Sequence, residues 1–315
     1  KMKLNKILAL IVVIALMAAM MVGCGAKDKK DGFTFGATYW TMNNPYFIAL
    51  EAGIRATVEA DGHELISYDP QGDVTTQISQ IEDLIAQDVD LIFLNPADWE
   101  GVRPALEAAE KAGIPIIVVD TPVYDSDKVL STVWSDNYKA GQLCAEDLMA
   151  KVDSGNIIIL DLPTDKSAAD RYQGFYDTIS ANANFTILDT HNGEGSTEAS
   201  MPVMEDMIQA YGDQIDIVFA INDPSAIGAI AALEAAGMID DVMVYSVDGS
   251  PDGKAMIESG KLEGTAAQFP EEMGKLAVKY AYDALAGQTI ESNVFVDVEM
   301  VNGETLKNYT IDGWK

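Results

Sequence analysis

Short β-rich runs alternate with amphipathic helical stretches along most of this chain, and that alternation limits its fold more than any other feature. Strand-like runs fall at residues 34–39, 64–68, 91–94, 116–120 and 129–134. A second series falls at 157–161, 186–189, 215–220, 243–247 and 265–268. Between them lie stretches such as 74–87 and 196–210, whose apolar residues recur at intervals of three and four. The Ala-rich stretch 226–236 stops at Gly237, which can take the left-handed conformation of a helix C-cap. Strands alternating with helices imply βαβ units, right-handed crossovers and mainly parallel sheets buried on both faces. The first four strands begin about 25–30 residues apart, as do the four after residue 155, which indicates two similarly built halves. No linker composition separates them. Ser135-Asp136-Asn137 follows the fifth strand and can both cap the next helix and carry the crossing. The expected fold is therefore α/β. It has two similar doubly wound, Rossmann-like domains, joined by a hinge of crossing strands with a ligand cleft between them.

The first thirty residues lie outside this rhythm. Residues 1–6 carry three lysines, residues 7–22 are apolar, and Gly23-Cys24-Gly25 follows. A basic start, a short apolar run and small residues describe an export signal rather than a spanning helix. Met21-Val22-Gly23-Cys24 resembles the bacterial lipobox, with Met where Leu is usual. Residues 1–23 are thus read as a lipoprotein signal, Cys24 as its lipidation site and 24–32 as a lipidated tether. An uncleaved membrane anchor is the alternative. The other cysteine, Cys144, sits in an apolar helical pattern and reads as a small buried hydrophobe, so no internal disulfide is expected.

Charge narrows the possible ligands. Fifty Asp and Glu against twenty Lys and Arg give a formal net charge of −30, which repels nucleic acid and anionic membrane and disfavours phosphorylated substrates. Only three arginines occur: Arg55, Arg103 and Arg171. In a doubly wound sheet ligands bind beyond the carboxyl ends of the strands. Those positions hold Asn43, Asn44, Asp69, Asn95 and Asp120 in the first half, and Asp161, His191, Asn222, Asp223, Asp248 and Gln268 in the second. Turn formation and helix capping explain any single Asn or Asp there. Taken together, amides and carboxylates form paired hydrogen-bonding groups suited to adjacent hydroxyls of a neutral polyol. Tyr39, Trp40, Tyr46, Phe47, Trp99 and Trp134 lie close by in sequence and could cover the C–H face of a sugar. The turn after the first strand, Trp40-Thr41-Met42-Asn43-Asn44-Pro45, lacks the glycine fingerprint for a dinucleotide. Asp248-Gly249-Ser250-Pro251-Asp252-Gly253 looks like half a calcium loop, but Ser250 or Asp252 capping a helix explains it better. No nucleophile elbow, zinc-protease motif or P-loop is present.

An ordered series of motifs resembles the sugar-binding periplasmic-type (type I) receptors of ABC importers, in their ribose-binding-like branch. It runs from Asn43-Asn44-Pro45-Tyr46-Phe47 through Leu94-Asn95-Pro96-Ala97-Asp98, Val118-Val119-Asp120 and Ser135-Asp136-Asn137. It continues with Ser167-Ala168-Ala169-Asp170-Arg171-Tyr172, Ala220-Ile221-Asn222-Asp223, Val247-Asp248-Gly249 and Ala267-Gln268-Phe269-Pro270. The resemblance implies that Asn44, Tyr46, Phe47, Asn95 and Asp120 face a sugar from the first domain, and Arg171, Asn222, Asp248 and Gln268 from the second. Trp40, Thr121 and Trp134 are further candidates. The ribose-binding pattern has Arg where this chain has Thr121, and an aromatic near residues 193–196 where this chain reads Gly-Glu-Gly-Ser. Both departures bear on ribose itself and leave the broader class untouched. The resemblance also implies discontinuous domains, 33–135 plus 269–297 and 136–268 plus 298–315. It implies a monomeric, non-enzymatic receptor without cofactor or metal, held at the outer face of a bacterial membrane. Such a receptor captures a monosaccharide by hinge closure and delivers it to an ABC permease. A sugar sensor acting through a membrane partner, or a hydrolase using Asp120 and Asp248, are the competing functions.

Overall fold

The computed structural model describes residues 32–314, so the signal, Cys24 and nearly all of the tether fall outside the described residues. The first series of elements is β1 (Thr34–Thr38), α1 (Pro45–Ala60), β2 (Glu64–Tyr68), α2 (Val74–Ala86), β3 (Leu91–Leu94), α3 (Arg103–Ala112), β4 (Ile116–Val119) and β5 (Ser131–Ser135). The second begins with α4 (Asn137–Lys151), β6 (Gly155–Asp161), α5 (Lys166–Ile179), β7 (Phe185–Asn192) and α6 (Thr197–Tyr211). It ends with β8 (Ile217–Ala220), α7 (Asp223–Ala236), β9 (Met243–Asp248), α8 (Pro251–Glu258) and β10 (Gly264–Ala267). Then come α9 (Pro270–Leu285), β11 (Asn293–Val296) and β12 (Glu299–Asn302).

Two six-stranded sheets result, ordered β11-β5-β4-β3-β1-β2 and β12-β10-β9-β8-β6-β7. Each contains the same doubly wound core, with the first strand of its series flanked by the second and third. All pairings are parallel except that of β12 with β10. The sequence expectation of two like α/β lobes is met. Central strands are continuous apolar runs, Leu-Ile-Phe-Leu in β3 and Ile-Ile-Val-Val in β4, and every residue of both is buried, as a sheet covered on two faces requires. Seven of the described helices start on a side-chain cap: Asn44, Asp73, Asp136, Asp165, Ser196, Asn222 and Ser250. Each accepts a backbone N–H of the first turn, worth about 1 kcal/mol. The Ser250 cap confirms the capping reading of the calcium-like segment. Cys144 is fully buried, and its Sγ donates to Ser246 O at 3.1 Å.

The chain passes between the sheets three times, after β5, after β10 and between β11 and β12. Helices are exchanged as a result. From α9, Met273, Ala277, Val278 and Ala281 complete the core around Phe35 and Phe93 of the first sheet. From α4, Ala140, Cys144, Ala145 and Leu148 do so around Phe175 of α5 and Phe219 of the second sheet. Both seams depend on glycine. A Cβ on Gly141 would lie 1.9 Å from Arg171 O, and one on Gly174 would lie 2.0 Å from Tyr138 O, so α4 and α5 touch backbone to backbone. Gly53 and Gly274 do the same for α1 and α9, with Glu271 O at 2.4 Å and Leu50 O at 2.7 Å.

Candidate functional site

Both sheets belong to one compact unit beginning at Thr34, and residues from the carboxyl ends of strands in each line a common cavity of about 40 Å³. Its walls include Trp40, Asn44, Tyr46, Phe47 and Asp120 from the first lobe, and Arg171, Asn222, Asp248 and Gln268 from the second lobe and the crossing that follows β10. An outer cavity of about 480 Å³ adjoins it and shares Trp40, Asn44 and Asp248.

Two carboxylates anchor the inner cavity from equivalent places. Asp120 follows β4 and Asp248 ends β9, the fourth strand of each series. Their φ values are 70° and 136°, a region that non-glycine residues avoid at a cost of order 1–3 kcal/mol. Asp120 Oδ2 accepts from Asn95 Nδ2 at 3.2 Å and lies 3.1 Å from Thr121 Oγ1, while Oδ1 is buried and has no hydrogen-bond partner. Burial pushes the Asp120 carboxyl up to about 6, against the pull of the Arg171 guanidinium. Asp248 accepts from Gln268 Nε2 at 2.8 Å through Oδ1 and from the Asp223 amide at 3.3 Å through Oδ2. Burial drives it up as well, opposed by Arg171 and reinforced by the charge of Asp223.

Arg171 lies on the first turns of α5, with its side chain turned inward. Its Nε donates to Asn137 Oδ1 at 2.8 Å and its Nη1 to Ile221 O at 3.0 Å, and Nη1 stands 3.7 Å from Asp248 Oδ1. Nη2 has no partner among the described residues, which leaves planar donors toward the cavity. The neighbouring Asp170 pairs instead with Lys166. Arg55 and Arg103 serve other ion pairs, with Glu51, Glu59 and Asp125.

The amides do less direct work than their positions suggest. Asn95 Oδ1 accepts from Trp40 N at 2.8 Å, and its Nδ2 reaches Val119 O and Asp120 Oδ2, each at 3.2 Å. Its polar atoms are occupied in holding β1, β3 and β4 together and in aiming Asp120. Asn222 Oδ1 caps α7 through Ser225 N at 3.0 Å, and its Nδ2 donates to Gly195 O at 2.9 Å. Asn44 caps α1 through Tyr46 N at 2.9 Å. Tyr46 and Phe47 both line the cavity and belong to the first lobe's core, and burial raises the Tyr46 phenol well above its usual range. Tyr46 OH donates to Gln268 Oε1 at 3.4 Å, linking the first lobe through Gln268 to Asp248.

Thr121 makes an interlobe contact, with Oγ1 3.2 Å from Asp165 Oδ2 and 3.3 Å from Ser167 Oγ. Ser167 Oγ also donates to Asp120 O at 3.1 Å. Trp40 borders both cavities and approaches Gly195, where a Cβ would lie 3.9 Å from the indole. Trp134 is not brought to either cavity. Its ring stacks on Phe295 of β11 at 5.2 Å.

Sequence reasoning missed Gln77, Asp165 and Trp314, and placed Asp223 on the rim without giving it a role. Gln77 of α2 donates to Tyr39 O at 3.2 Å and Asn95 O at 2.8 Å and accepts from Ala97 N at 2.7 Å, so one buried amide pins the crevice between β1 and β3. Asp223 takes hydrogen bonds from Ser246, Ser250 and Thr265 and supports Asp248 through its amide. Asp165 caps α5 and faces Thr121. Trp314 lines the outer cavity. Asp223 was legible as a rim position, whereas a glutamine in mid-helix gives no signal. No cluster of His, Cys, Asp and Glu suited to a metal occurs among the described residues.

The arrangement places a lone carboxylate acceptor and guanidinium donors in one small cavity lined by aromatic rings. The chain as a whole is similar to known proteins. The family model described as a periplasmic binding protein domain matches residues 35–289. The ribose import binding protein RbsB of Bacillus subtilis is 31% identical over 304 residues, covering 93% of this chain and 98% of its own. A solute-binding protein of an ABC transporter from Bacillus halodurans, solved with bound myo-inositol, superposes with a TM-score of 0.83 at 28% identity, covering 89% of this chain and 98% of that one. One from Actinobacillus succinogenes, solved with bound D-allose, gives a TM-score of 0.82 at 29% identity, covering 88% and 99%. These relatives bind solutes rather than transform them, as the sequence led us to expect. The shared fold and the extent of similarity make this chain a member of the periplasmic binding protein domain family, in the branch of the ribose import binding proteins.

Proposed function

We propose that this protein captures a neutral monosaccharide or related polyol between its two lobes and delivers it to an ABC importer. The observation that carries this reading is Asp120 Oδ1, a buried acceptor without a donor, facing a cavity whose other polar atoms are set by two separate lobes. A ligand hydroxyl can donate to that oxygen while accepting from Arg171, and the cavity closes over it when the lobes meet. In this reading Asn44, Tyr46, Phe47, Asp120, Arg171, Asp248 and Gln268 touch the sugar, and Trp40 covers a C–H face. Asn95 and Asn222 orient the parts around them, and Thr121 closes the interlobe seam. The lobes divide as 33–135 plus 269–297 and 136–268 plus 298–315.

We further propose that the protein is exported, tethered through lipid on Cys24 and active as a monomer. The solved relatives are described as solute-binding proteins of ABC transporters, which supports delivery to an ABC importer. A Cys24→Ser variant should lose the acyl mass and leave the membrane fraction, and retention in both would remove the anchor. The functional test is a thermal-shift panel of pentoses, hexoses and polyols, including ribose, allose, xylitol and myo-inositol. A ligand held at micromolar Kd, about −8.2 kcal/mol, raises the melting temperature at millimolar concentration. The sugar should be recovered unchanged, and deletion of the gene should abolish its uptake. A flat panel, or turnover of the sugar, would overturn the proposal.

A further inference from the structure

We propose that Trp314 retains the ligand by latching the lobes together at the mouth of the sugar site, an inference that rests on the sugar-binding reading above. The segment that follows β12 is fastened to the second lobe. Tyr309 OH donates to Glu299 Oε2 at 2.5 Å, beside the start of β12. Deeper in, the ammonium of Lys254 on α8 donates to Thr310 O at 2.5 Å and also to Gly313 O. Lys254 is 1% exposed, and its Nζ is satisfied by main-chain carbonyls rather than by a carboxylate. A buried ammonium is expensive without such partners, so displacing the segment would leave it without these acceptors. Lys254 therefore fixes where residues 310–313 run.

That path brings Trp314 to the other lobe. Its indole meets the ring of Tyr46 edge-on, with centroids 5.6 Å apart at 81°, and packs against the first lobe's core. It also walls the outer cavity together with Trp40, Asn44 and Pro251. Tyr46 in turn lines the inner cavity and donates to Gln268. A residue strapped to one lobe thus contacts, on the other, a ring that borders the ligand. Opening the cleft must part Trp314 from Tyr46 before the ligand can leave. Lys254 touches neither cavity and acts through the strap as a positioning residue.

Stopped-flow release of the tightest sugar of the panel tests this, alongside small-angle scattering of the ligand-free protein. Trp314→Ala should speed release roughly fivefold or more, the scale of one lost aromatic contact, and change the association rate by less than about twofold. Trp314→Phe should restore most of the retention. Lys254→Met should mimic Trp314→Ala, and the double variant should release no faster than Trp314→Ala alone, because both act through one contact. Without ligand, Trp314→Ala should enlarge the radius of gyration as the lobes part more often. Release and radius both unchanged in Trp314→Ala overturn the latch. If no sugar binds the unaltered protein but the radius still grows, the latch stands and the sugar-binding reading falls.

Discussion

Asp120 unites three features that oppose folding: a left-handed backbone, a buried charge and a carboxylate oxygen without a donor. Each is tolerable only if the residue serves something other than stability. Asp120→Asn keeps the shape and suits a positive φ, so the melting temperature of the ligand-free protein should hold or rise. Sugar affinity should fall by at least about 2 kcal/mol, because a charge-assisted hydrogen bond is lost. Calorimetry and a melting curve on one preparation would show the two effects diverging. Arg171 behaves differently. Its guanidinium is committed to Asn137, Ile221 and Asp248, so Arg171→Ala strands a buried carboxylate and should cost stability of about 3 kcal/mol as well as binding. A variant that melts like the unaltered protein would show that the pair contributes nothing to the fold. Arg171 was legible in the sequence through its rarity and its place after the sixth strand. The division of labour was not. Whether Asn95 touches a ligand or merely aims Asp120 depends on which amide atoms are already taken, and that is a property of three strands at once.

At the level of elements, the central strands were legible from pattern because buried parallel strands must be continuously apolar, and β3 and β4 are. Strands β11 and β12 escaped because Asn-Val-Phe-Val and Glu-Met-Val-Asn sit at sheet edges with only one buried residue each. Periodicity is equally silent on helix exchange, since an amphipathic helix does not name the sheet it will cover. The α4–α5 seam gives a test. Gly174→Ala drives a methyl into Tyr138 O and should destabilise the protein by roughly 1–3 kcal/mol in denaturant melts. Arg171 lies one turn earlier on the same helix, so sugar affinity should fall in step. Affinity unchanged after such a loss of stability would uncouple the seam from the site.

For the whole molecule the buried carboxylates set an unusual response to pH. In the folded state Asp120 holds its proton up to about pH 6, whereas in the unfolded chain it ionises near pH 4. The folded state therefore binds more protons across that window. The contribution is fully present below about pH 4 and is lost as pH rises through about 6, the reverse of an ordinary salt-bridged carboxylate. Asp248, also raised, extends the decline to higher pH. An Asp120→Asn/Asp248→Asn double variant should show a flatter melting profile between pH 5 and 8 than the unaltered protein. Sugar affinity should move the opposite way and weaken as Asp120 is protonated below about pH 6.

The three passages of the chain between the sheets also govern the order in which this protein can be completed during synthesis. The first lobe needs α9 and β11, which are made only after the whole of the second lobe. A nascent chain paused at residue 150 would expose the faces of α1 and β5 that these elements cover, with nothing yet made to cover them. Neither lobe reaches its final form until about residue 302 has emerged. The polypeptide thus stays extensible for most of its production, the state in which a chain can be threaded through a narrow channel.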